Sequence, residues 1–228
     1  MEFKQFGDAF DWDFQKVDIM MGNNNVFDNR VKEYEEWFVK NNYLLDSEVE
    51  AIKQFIPDSG EGIEIGVGTG IFASRLGIKH GIEPSEKMAA EAIKKGIDVK
   101  KGVAEKIPVD DASYQFVLMV TVDSFLDDVL KAFSEVRRIL VNNGIFIIAF
   151  LDKVTPLGKK YEQNKHLHKS YKNANFHSAE EIAELLECAD FKILDRKQTI
   201  YSLENKVQEI KNGTGEGVFA VIKAQKTK

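Results

Sequence analysis

The segment that decides the fold reads Gly-Ile-Glu-Ile-Gly-Val-Gly-Thr-Gly and spans residues 62–70. Two isoleucines, Ile63 and Ile65, flank the acid Glu64, and glycine then recurs at every second position. A short apolar run bounded by glycine is typical of a buried strand. Glycine has no side chain and tolerates a positive φ, so a ligand can come very close to the backbone of such a loop. The segment therefore predicts a strand that ends in a ligand-binding loop, with a nucleotide-like molecule as the usual ligand.

Strands and helices alternate downstream of this segment. We predict strands over residues 62–66, 78–83, 99–103, 114–120 and 144–150, and two late strands over 191–199 and 217–224. Helical patterns cover 85–95 and 127–140, and a capping box of Ser178 and Glu181 opens a third helix. Asn142-Asn143-Gly144 predicts a turn before the fifth strand. This alternation predicts an α/β fold with a doubly wound, mostly parallel sheet and helices on both faces.

The N-terminal stretch is rich in aromatic residues and has helical spacing. Its phenylalanines lie at Phe3, Phe6, Phe10 and Phe14. Asp28 is a candidate cap for a helix that carries Tyr34, Trp37 and Phe38 on one side. We expect Trp37 to belong to the core.

A second capping box, Ser47 with Glu50, predicts that another helix begins at Ser47 and stops at Pro57. We therefore expect residues 1–57 to form a helical cap or lid and residues 58–228 to form the ligand-binding domain. Residues 153–176 are polar and interrupt the alternation, so we expect an insertion that lies above the sheet and contributes to the cap.

Composition narrows the class of partner. The 228 residues carry a net charge of −6, which argues against nucleic-acid binding because that needs a basic surface. No apolar run approaches the ~20 residues of a membrane span, and the acidic first residues do not resemble a secretory leader. The single cysteine, Cys188, is expected to be a small apolar core residue in a helix. We expect a cytoplasmic monomer or homodimer that acts on a small molecule, without nucleic-acid or membrane partners.

Two ligands fit the glycine loop at this stage. In a doubly wound sheet the ligand lies beyond the carboxyl ends of the strands, and an acid that ends the second strand can accept hydrogen bonds from ribose hydroxyls. Glu83 lies at that position, about twenty residues after Glu64. In the dinucleotide fingerprint the third glycine stands one place later than Gly70, where this chain has Ile71. The acid fits any adenosine-containing ligand, so it leaves both a dinucleotide and another adenosyl cofactor open.

Several motifs in order resemble the class I S-adenosylmethionine-dependent methyltransferases, in particular the small-molecule branch of methyltransferase type 11. Residues 64–70 resemble the first motif of the family, and Gly-Ile-Glu-Pro-Ser at 81–85 resembles the second-strand motif. The stretches 102–108 and 111–117 resemble the segments "G-D-A-E-x-L-P" and "D-x-S-F-D-x-V", and Arg138-Ile139-Leu140 with Gly144 resembles the lead into the fifth strand. The resemblance covers about residues 63–150. It implies a Rossmann-like sheet of seven strands in the order 3-2-1-4-5-7-6, with S-adenosylmethionine as cofactor.

The resemblance also implies roles for individual residues. Glu64 holds the amino-acid end of the cofactor, Glu83 the ribose hydroxyls, and Tyr34 closes over the cofactor from a lid helix. Met88 packs on adenine, and Val120 and Thr121 end the fourth strand where the reactive methyl group points. The full predicted cofactor site is Tyr34, Glu64, Ile65, Gly66, Gly68, Gly70, Glu83, Pro84, Ser85, Met88, Val103, Ala104, Glu105, Val120 and Thr121.

The chain departs from the family pattern at three positions. Val103 stands where an aspartate often contacts adenine, Gln115 replaces the aspartate of "F-D", and Asn143 replaces a glycine. The first departure keeps a non-catalytic cofactor-binding protein open as an alternative, beside a nicotinamide-dependent oxidoreductase on the same fold.

No catalytic residue is assigned, because positioning of the acceptor against the methyl group can supply much of the rate. A general base from the insertion is a further hypothesis, with Tyr161, His166, His168 and Tyr171 as candidates. No metal site is expected, since no carboxylate cluster accompanies the two histidines.

Overall fold

The computed structural model of the chain describes residues 31–167 and 174–227. Its strands are β1 (Gly62–Ile65), β2 (His80–Ile82), β3 (Asp98–Lys100), β4 (Tyr114–Val120), β5 (Leu140–Leu151), β6 (Phe191–Thr199), β7 (Lys211–Asn212) and β8 (Phe219–Lys226). Within the described residues they form one eight-stranded sheet in the order β3-β2-β1-β4-β5-β8-β6-β7. Neighbouring strands in the run β3-β2-β1-β4-β5 pair in parallel, whereas β8 is antiparallel to both β5 and β6.

The helices of the described residues are α1 (Val31–Lys40), α2 (Asn42–Lys53), α3 (Ile71–Leu76), α4 (Glu86–Lys94), α5 (Val129–Ile139), α6 (Pro156–Asn164) and α7 (Ala179–Cys188). Short 3-10 turns cover Asp123–Phe125 and Lys165–Leu167. None of the helices in these ranges has both the length and the apolar composition that crossing a membrane requires.

The two faces of the sheet bury separate apolar clusters. Leu118 and Val120 of β4 pack with α1, α2, α3, α4 and α6, whereas Val117 and Met119 pack with α5 and α7. Successive side chains of a strand point to opposite faces, so a strand covered on both sides must be apolar throughout. The predicted doubly wound α/β fold with helices on both faces is therefore confirmed.

The sheet has one strand more than the seven predicted. The last long strand lies between β5 and β6, which is the predicted arrangement, and β7 then adds a two-residue edge beside Lys197 and Gln198. Two residues are too few to show a periodic pattern, so only pairing with β6 reveals this strand.

The predicted capping box at Ser47 is wrong. Helix α2 begins five residues earlier, and Ser47 lies buried inside it, where its hydroxyl donates to the carbonyl of Tyr43 at 2.9 Å. The hydroxyl also accepts from the backbone N–H of Gln208 at 2.8 Å. Leu44 and Leu45 are almost fully buried, so packing against the sheet favours helix through a stretch whose local signal marked a start. The capping box of Ser178 and Glu181 is confirmed. The expectation that Cys188 belongs to the core is wrong, because this last residue of α7 is exposed.

The predicted turn at 142–144 is also wrong, because these residues lie within β5. The strand begins at Leu140, directly after α5, and Asn143 bends it with a φ of +60°. Pairing of Leu140 with Tyr114 extends the strand backward past the bend. The phenylalanines at positions 3–14, Asp28, His168 and Tyr171 lie outside the described residues.

Candidate functional site

The glycine loop crosses the carboxyl end of β1 and is held against the neighbouring strand. The N–H groups of Gly66 and Val67 both donate to the carbonyl of Ile82, at 2.8 and 3.0 Å. Gly66, Gly68 and Gly70 all have φ between +53° and +78°, a region that L side chains rarely adopt. The loop and the ends of β2 and β4 thus meet at one edge of the sheet, as the sequence predicted.

The three glycines are needed for different reasons. A Cβ at Gly66 would lie 2.4 Å from a methyl group of Val122, and one at Gly70 would lie 2.4 Å from Cδ1 of Ile97. Protein packing therefore excludes a side chain at both positions. At Gly68 the nearest atom to such a Cβ is the Tyr34 hydroxyl, at 3.8 Å. The space above Gly68 is thus a cradle that a ligand can enter.

Glu83 fixes the shape of this cradle. One oxygen of its buried carboxylate accepts from the N–H of Gly68 at 2.9 Å, and the other accepts from the N–H of Ser85 at 2.9 Å. Each carboxylate oxygen has two lone pairs, so a backbone N–H and a ligand hydroxyl can share it. Its role toward ribose stays a prediction, and its role in shaping the loop was not foreseen.

Glu64 presents an unsatisfied acidic oxygen within β1. Its side chain is 2% exposed and accepts from the backbone N–H of Ala73. Its Oε2 has no hydrogen-bond partner within the described residues. Burial, and secondarily the charge of Glu83, raise the pKa of this carboxyl well above its usual range. A buried acceptor without a donor is unfavourable, so the position suits a ligand that brings donors or positive charge.

Tyr34 lies over the loop from helix α1. Its side chain is buried, and burial together with the charges of Glu64 and Glu83 raises the pKa of its hydroxyl. Helix α1 is tied to the loop by Lys95, whose Nζ donates to Glu35 Oε1 and to the carbonyl of Thr69, both at 2.7 Å. The predicted lid residue is therefore next to the cradle.

The residues that the sequence predicts around adenine lie on α4 and in the segment after β3. Met88 is buried in the core cluster beside Ala92 and follows Ser85, which caps α4 by accepting from the Met88 N–H at 3.3 Å. Val103 is 44% exposed, so its side chain is accessible to a ligand. The carboxylate of Glu105 accepts from the N–H of Asp127 at 3.0 Å, and this bond connects Glu105 to the residues just before α5.

The other predicted positions complete this edge of the sheet. Ile65 is the buried last residue of β1, Pro84 is partly buried between Glu83 and Ser85, and Ala104 is buried. Val120 ends β4, and Thr121 follows with a φ of +54° and an N–H bonded to the carbonyl of Ala149 at 2.7 Å.

A cavity that is partly open to solvent lies beyond β4, between helices α1, α2 and α6. Trp37, which the sequence assigned to the core, is partly buried and lines this cavity. The described side chains that line it are mostly aromatic or aliphatic: Tyr34, Trp37, Phe38, Leu44, Glu48, Phe72, Thr121, Ser124, Phe125, Leu151, Tyr161, Phe176, Ile200, Leu203, Val218 and Phe219. Tyr34 and Thr121 belong both to this wall and to the predicted cofactor site, so the cavity and the cradle adjoin.

Sequence reasoning missed Glu48, which lines the cavity from α2. Burial raises the pKa of its carboxyl from 4.5 to about 8. Glu48 follows the buried Leu44 by four residues, so helical periodicity places this acid on the apolar side of α2. An acid within an apolar stripe is the signal that the sequence offered.

A buried pair of His177 and Asp123 was also missed. Nδ1 of His177 lies 2.9 Å from Oδ2 of Asp123, and the two residues are 54 positions apart. The pair joins the 3-10 turn after β4 to the residues that precede α7. Neither side chain lines the cavity, and no local pattern connects them.

The candidate general bases separate in the structure. Tyr161 is buried and lines the cavity, and its pKa is raised by burial and by the charge of Glu48. His166 is exposed on the 3-10 turn and does not belong to the cavity wall.

Known proteins resemble this chain over most of its length. Residues 63–148 match a family model described as a methyltransferase domain. An uncharacterised protein of Methanocaldococcus jannaschii is 43% identical over 204 residues, which cover 89% of this chain and 99% of that protein. The crystal structure of a SAM-dependent methyltransferase of Thermotoga maritima, named as a possible histamine N-methyltransferase, is 43% identical with a TM-score of 0.86, and covers 89% of this chain and 99% of that one.

A more distant likeness concerns the fold alone. A methyltransferase of Haloferax volcanii, solved in complex with the Trm112 methyltransferase activator, has a TM-score of 0.68 at 15% identity. The alignment covers 88% of this chain and 97% of that one.

Proposed function

The chain belongs to the class I S-adenosylmethionine-dependent methyltransferases, and from this premise we propose that it methylates a small molecule held in the cavity beyond β4. S-adenosylmethionine supplies a methyl carbon on a sulfonium centre and, when that carbon is attacked, leaves as a neutral thioether. The protein's own contribution is to bind both molecules, align them and keep water away.

The residues around the loop fit this cofactor. The cradle above Gly68 admits a ligand where a side chain would fill the space, and the unpartnered Oε2 of Glu64 accepts a donor or a positive charge. We assign Glu64 to the amino-acid end, Glu83 to the ribose hydroxyls, and Val103 with Met88 to the base.

One observation supports the proposal more than the others: Tyr34 belongs both to the cradle above Gly68 and to the cavity wall. Its hydroxyl lies over Gly68, and its ring is part of the cavity wall. A methyl group can pass between two ligands only where their sites touch, and Tyr34 with Thr121 marks that boundary. Residues 31–57, which are the structurally described part of the predicted cap, then act as a lid over the cofactor.

The lining of the cavity favours a small, partly apolar acceptor. Most of the side chains that line the cavity are aromatic or aliphatic, as in many small-molecule pockets, and helices α1, α2 and α6 contribute to its wall. The name of the Thermotoga maritima relative brings in an amine as a candidate acceptor class. A non-catalytic cofactor-binding protein remains the alternative, and membership of this family favours S-adenosylmethionine over a nicotinamide dinucleotide.

Calorimetry with S-adenosylhomocysteine and with NADH tests the cofactor part. We expect the first to bind and the second not to bind. Glu83→Gln should weaken binding at least tenfold, because a charged hydrogen bond contributes ~1.5–3 kcal/mol. Glu86→Gln, an exposed acid three residues further on, should bind as the wild type does. Binding of NADH without binding of S-adenosylhomocysteine would contradict the assignment.

Turnover separates the enzyme from the non-catalytic alternative. The wild-type protein is incubated with S-adenosylmethionine and a panel of small amines, phenols, thiols and carboxylic acids, and methylated products are sought by mass spectrometry. Methylation of one class supports the proposal. Binding of S-adenosylhomocysteine without methylation across the panel would favour the non-catalytic protein.

A further inference from the structure

Glu48 is the one charged side chain among the described residues that line the cavity. Its neighbours on the wall are aromatic or aliphatic, apart from the hydroxyl groups of Tyr34, Tyr161, Thr121 and Ser124. It lies on α2, and its negative charge reaches Tyr34 on α1 and Tyr161 on α6, since it contributes to the raised pKa of both hydroxyls. Glu48 is partly buried, and it lines the cavity together with these two tyrosines.

The protein supplies no counter-charge to this carboxylate within residues 31–167 and 174–227. No lysine, arginine or histidine of these ranges lines the cavity, and burial alone accounts for the rise of the Glu48 pKa to about 8. Buried acids that serve structure are paired or hydrogen-bonded, because an isolated charge in an apolar site is costly. Glu48 has no such partner among the described residues, so a ligand in the cavity is what could pair with it.

The remaining wall indicates which charge would pair with this acid. Trp37, Phe38, Phe125, Tyr161 and Phe176 present aromatic rings to the cavity. Aromatic faces attract cations and also pack against a flat apolar body. A molecule that carries one amine on an apolar frame satisfies both the rings and the carboxylate, whereas an anion would face Glu48 without a partner.

On the basis of the proposed function, we propose that Glu48 recognises the acceptor, that the acceptor is a small amine on an apolar or aromatic frame, and that the Glu48 carboxylate takes the ammonium proton before methylation. The proton moves from the ammonium nitrogen to a carboxylate oxygen, and the N–H bonding pair stays on nitrogen as its lone pair. Carboxylate and ammonium become carboxylic acid and neutral amine, so no net charge appears in the cavity. The freed lone pair is what an attack on an electrophilic carbon requires.

A proton count follows from this pairing. At pH 7 a carboxyl with a pKa near 8 holds its proton in roughly nine of ten empty molecules. A free alkylamine also carries its extra proton at this pH, whereas the bound pair keeps only one proton between oxygen and nitrogen. Binding should therefore release up to one proton per amine, whichever of the two atoms holds the remaining one.

Calorimetry in two buffers of different ionisation enthalpy measures this release. The protein is saturated with S-adenosylhomocysteine and titrated with phenethylamine and tryptamine, and with the matching alcohols phenethyl alcohol and tryptophol. We expect the amines to bind at least tenfold more tightly than the alcohols and to release close to one proton. Glu48→Gln should lose the proton release and at least tenfold in amine affinity, while retaining the affinity for S-adenosylhomocysteine.

Glu50→Gln is the matched control, because this exposed acid lies two residues further along the same helix and outside the cavity wall. It should behave as the wild type does in every titration, and thermal unfolding checks that both variants fold. Equal amine affinity in the wild type and Glu48→Gln, a preference for the alcohols, or binding of neither amine would overturn the proposal. Absence of heat with S-adenosylhomocysteine itself would instead overturn the proposed function, so the two failures are distinguishable.

Discussion

Replacing Glu48 by glutamine should stabilise the ligand-free protein, although it should weaken amine binding. Glutamine has nearly the same shape as glutamic acid and carries no charge, so the variant removes only the cost of ionising this site. Below pH 4.5 both the folded and the unfolded chain hold the Glu48 proton, and the two proteins should have similar free energies of unfolding. As the pH rises from 4.5 to about 8, the unfolded chain releases the proton while the folded chain keeps it. The folded wild type therefore loses stability over this window, and the loss becomes constant above pH 8.

The magnitude follows from the size of the pKa shift. One pKa unit corresponds to ~1.4 kcal/mol, so the rise from 4.5 to about 8 sets a ceiling of about 5 kcal/mol. Glu48 is only partly buried and the cavity is open, so water solvates part of the charge and lowers this value. We expect a stabilisation of ~4 kcal/mol at pH 8, or roughly 8–16 °C in the melting temperature of a domain of this size.

Thermal and urea unfolding of the wild type, Glu48→Gln and Glu50→Gln across pH 5–9 measures the effect. The difference between the wild type and Glu48→Gln should grow with pH up to about 8, and Glu50→Gln should follow the wild type throughout. A Glu48→Gln protein that is less stable than the wild type, or a gain that does not change with pH, would refute the argument that burial raises this pKa.

Three further perturbations probe the same site and its supports. Gly70→Ala should lower the free energy of unfolding by ~2 kcal/mol or more, because its Cβ would lie 2.4 Å from Ile97. Gly68→Ala should cost ~1 kcal/mol of backbone strain and reduce the affinity for S-adenosylhomocysteine. Chemical unfolding measures the stability of both variants, and calorimetry measures their affinity. Lys95→Met should speed dissociation of S-adenosylhomocysteine by several-fold, because it removes the link between Glu35 of α1 and the glycine loop. Stopped-flow displacement measures this rate, and an unchanged rate would contradict the prediction. His177→Ala should destabilise the fold by ~2–4 kcal/mol because it leaves a carboxylate buried without its partner, and an unfolding midpoint equal to that of the wild type would count against a structural role.

Local sequence patterns were sufficient to predict the elements whose signals lie within a short stretch of the chain. The apolar run at 63–65, the alternate glycines and the acid Glu83 lie within about twenty residues, and the structure brings the loop and this acid into hydrogen-bond contact. The bounds of β4 and β6 agree with the predicted ones, because both strands are long and have clear ends. The start of α2 and the bend inside β5 did not follow from local signals, since burial of Leu44 and pairing of Leu140 with Tyr114 decided them.

Residues whose roles depend on distant neighbours could not be assigned in this way. The pair of Asp123 and His177 joins positions 54 apart, and the strand β7 exists only because β6 lies beside it. Glu48 was one acid among the 37 acidic residues of the chain until α1, α2 and α6 enclosed it.

The sequence by itself determined that a glycine loop and a strand-ending acid lie together at one edge of an α/β sheet, because short-range geometry fixes where those backbone groups lie. Only the tertiary structure decided that an aromatic cavity adjoins this edge and that, among the described residues, Glu48 is the one acid that lines it. The physical reason is that the pKa and the chemical role of a carboxyl depend on the solvent and charges around it, and those are supplied by helices that lie far apart along the chain.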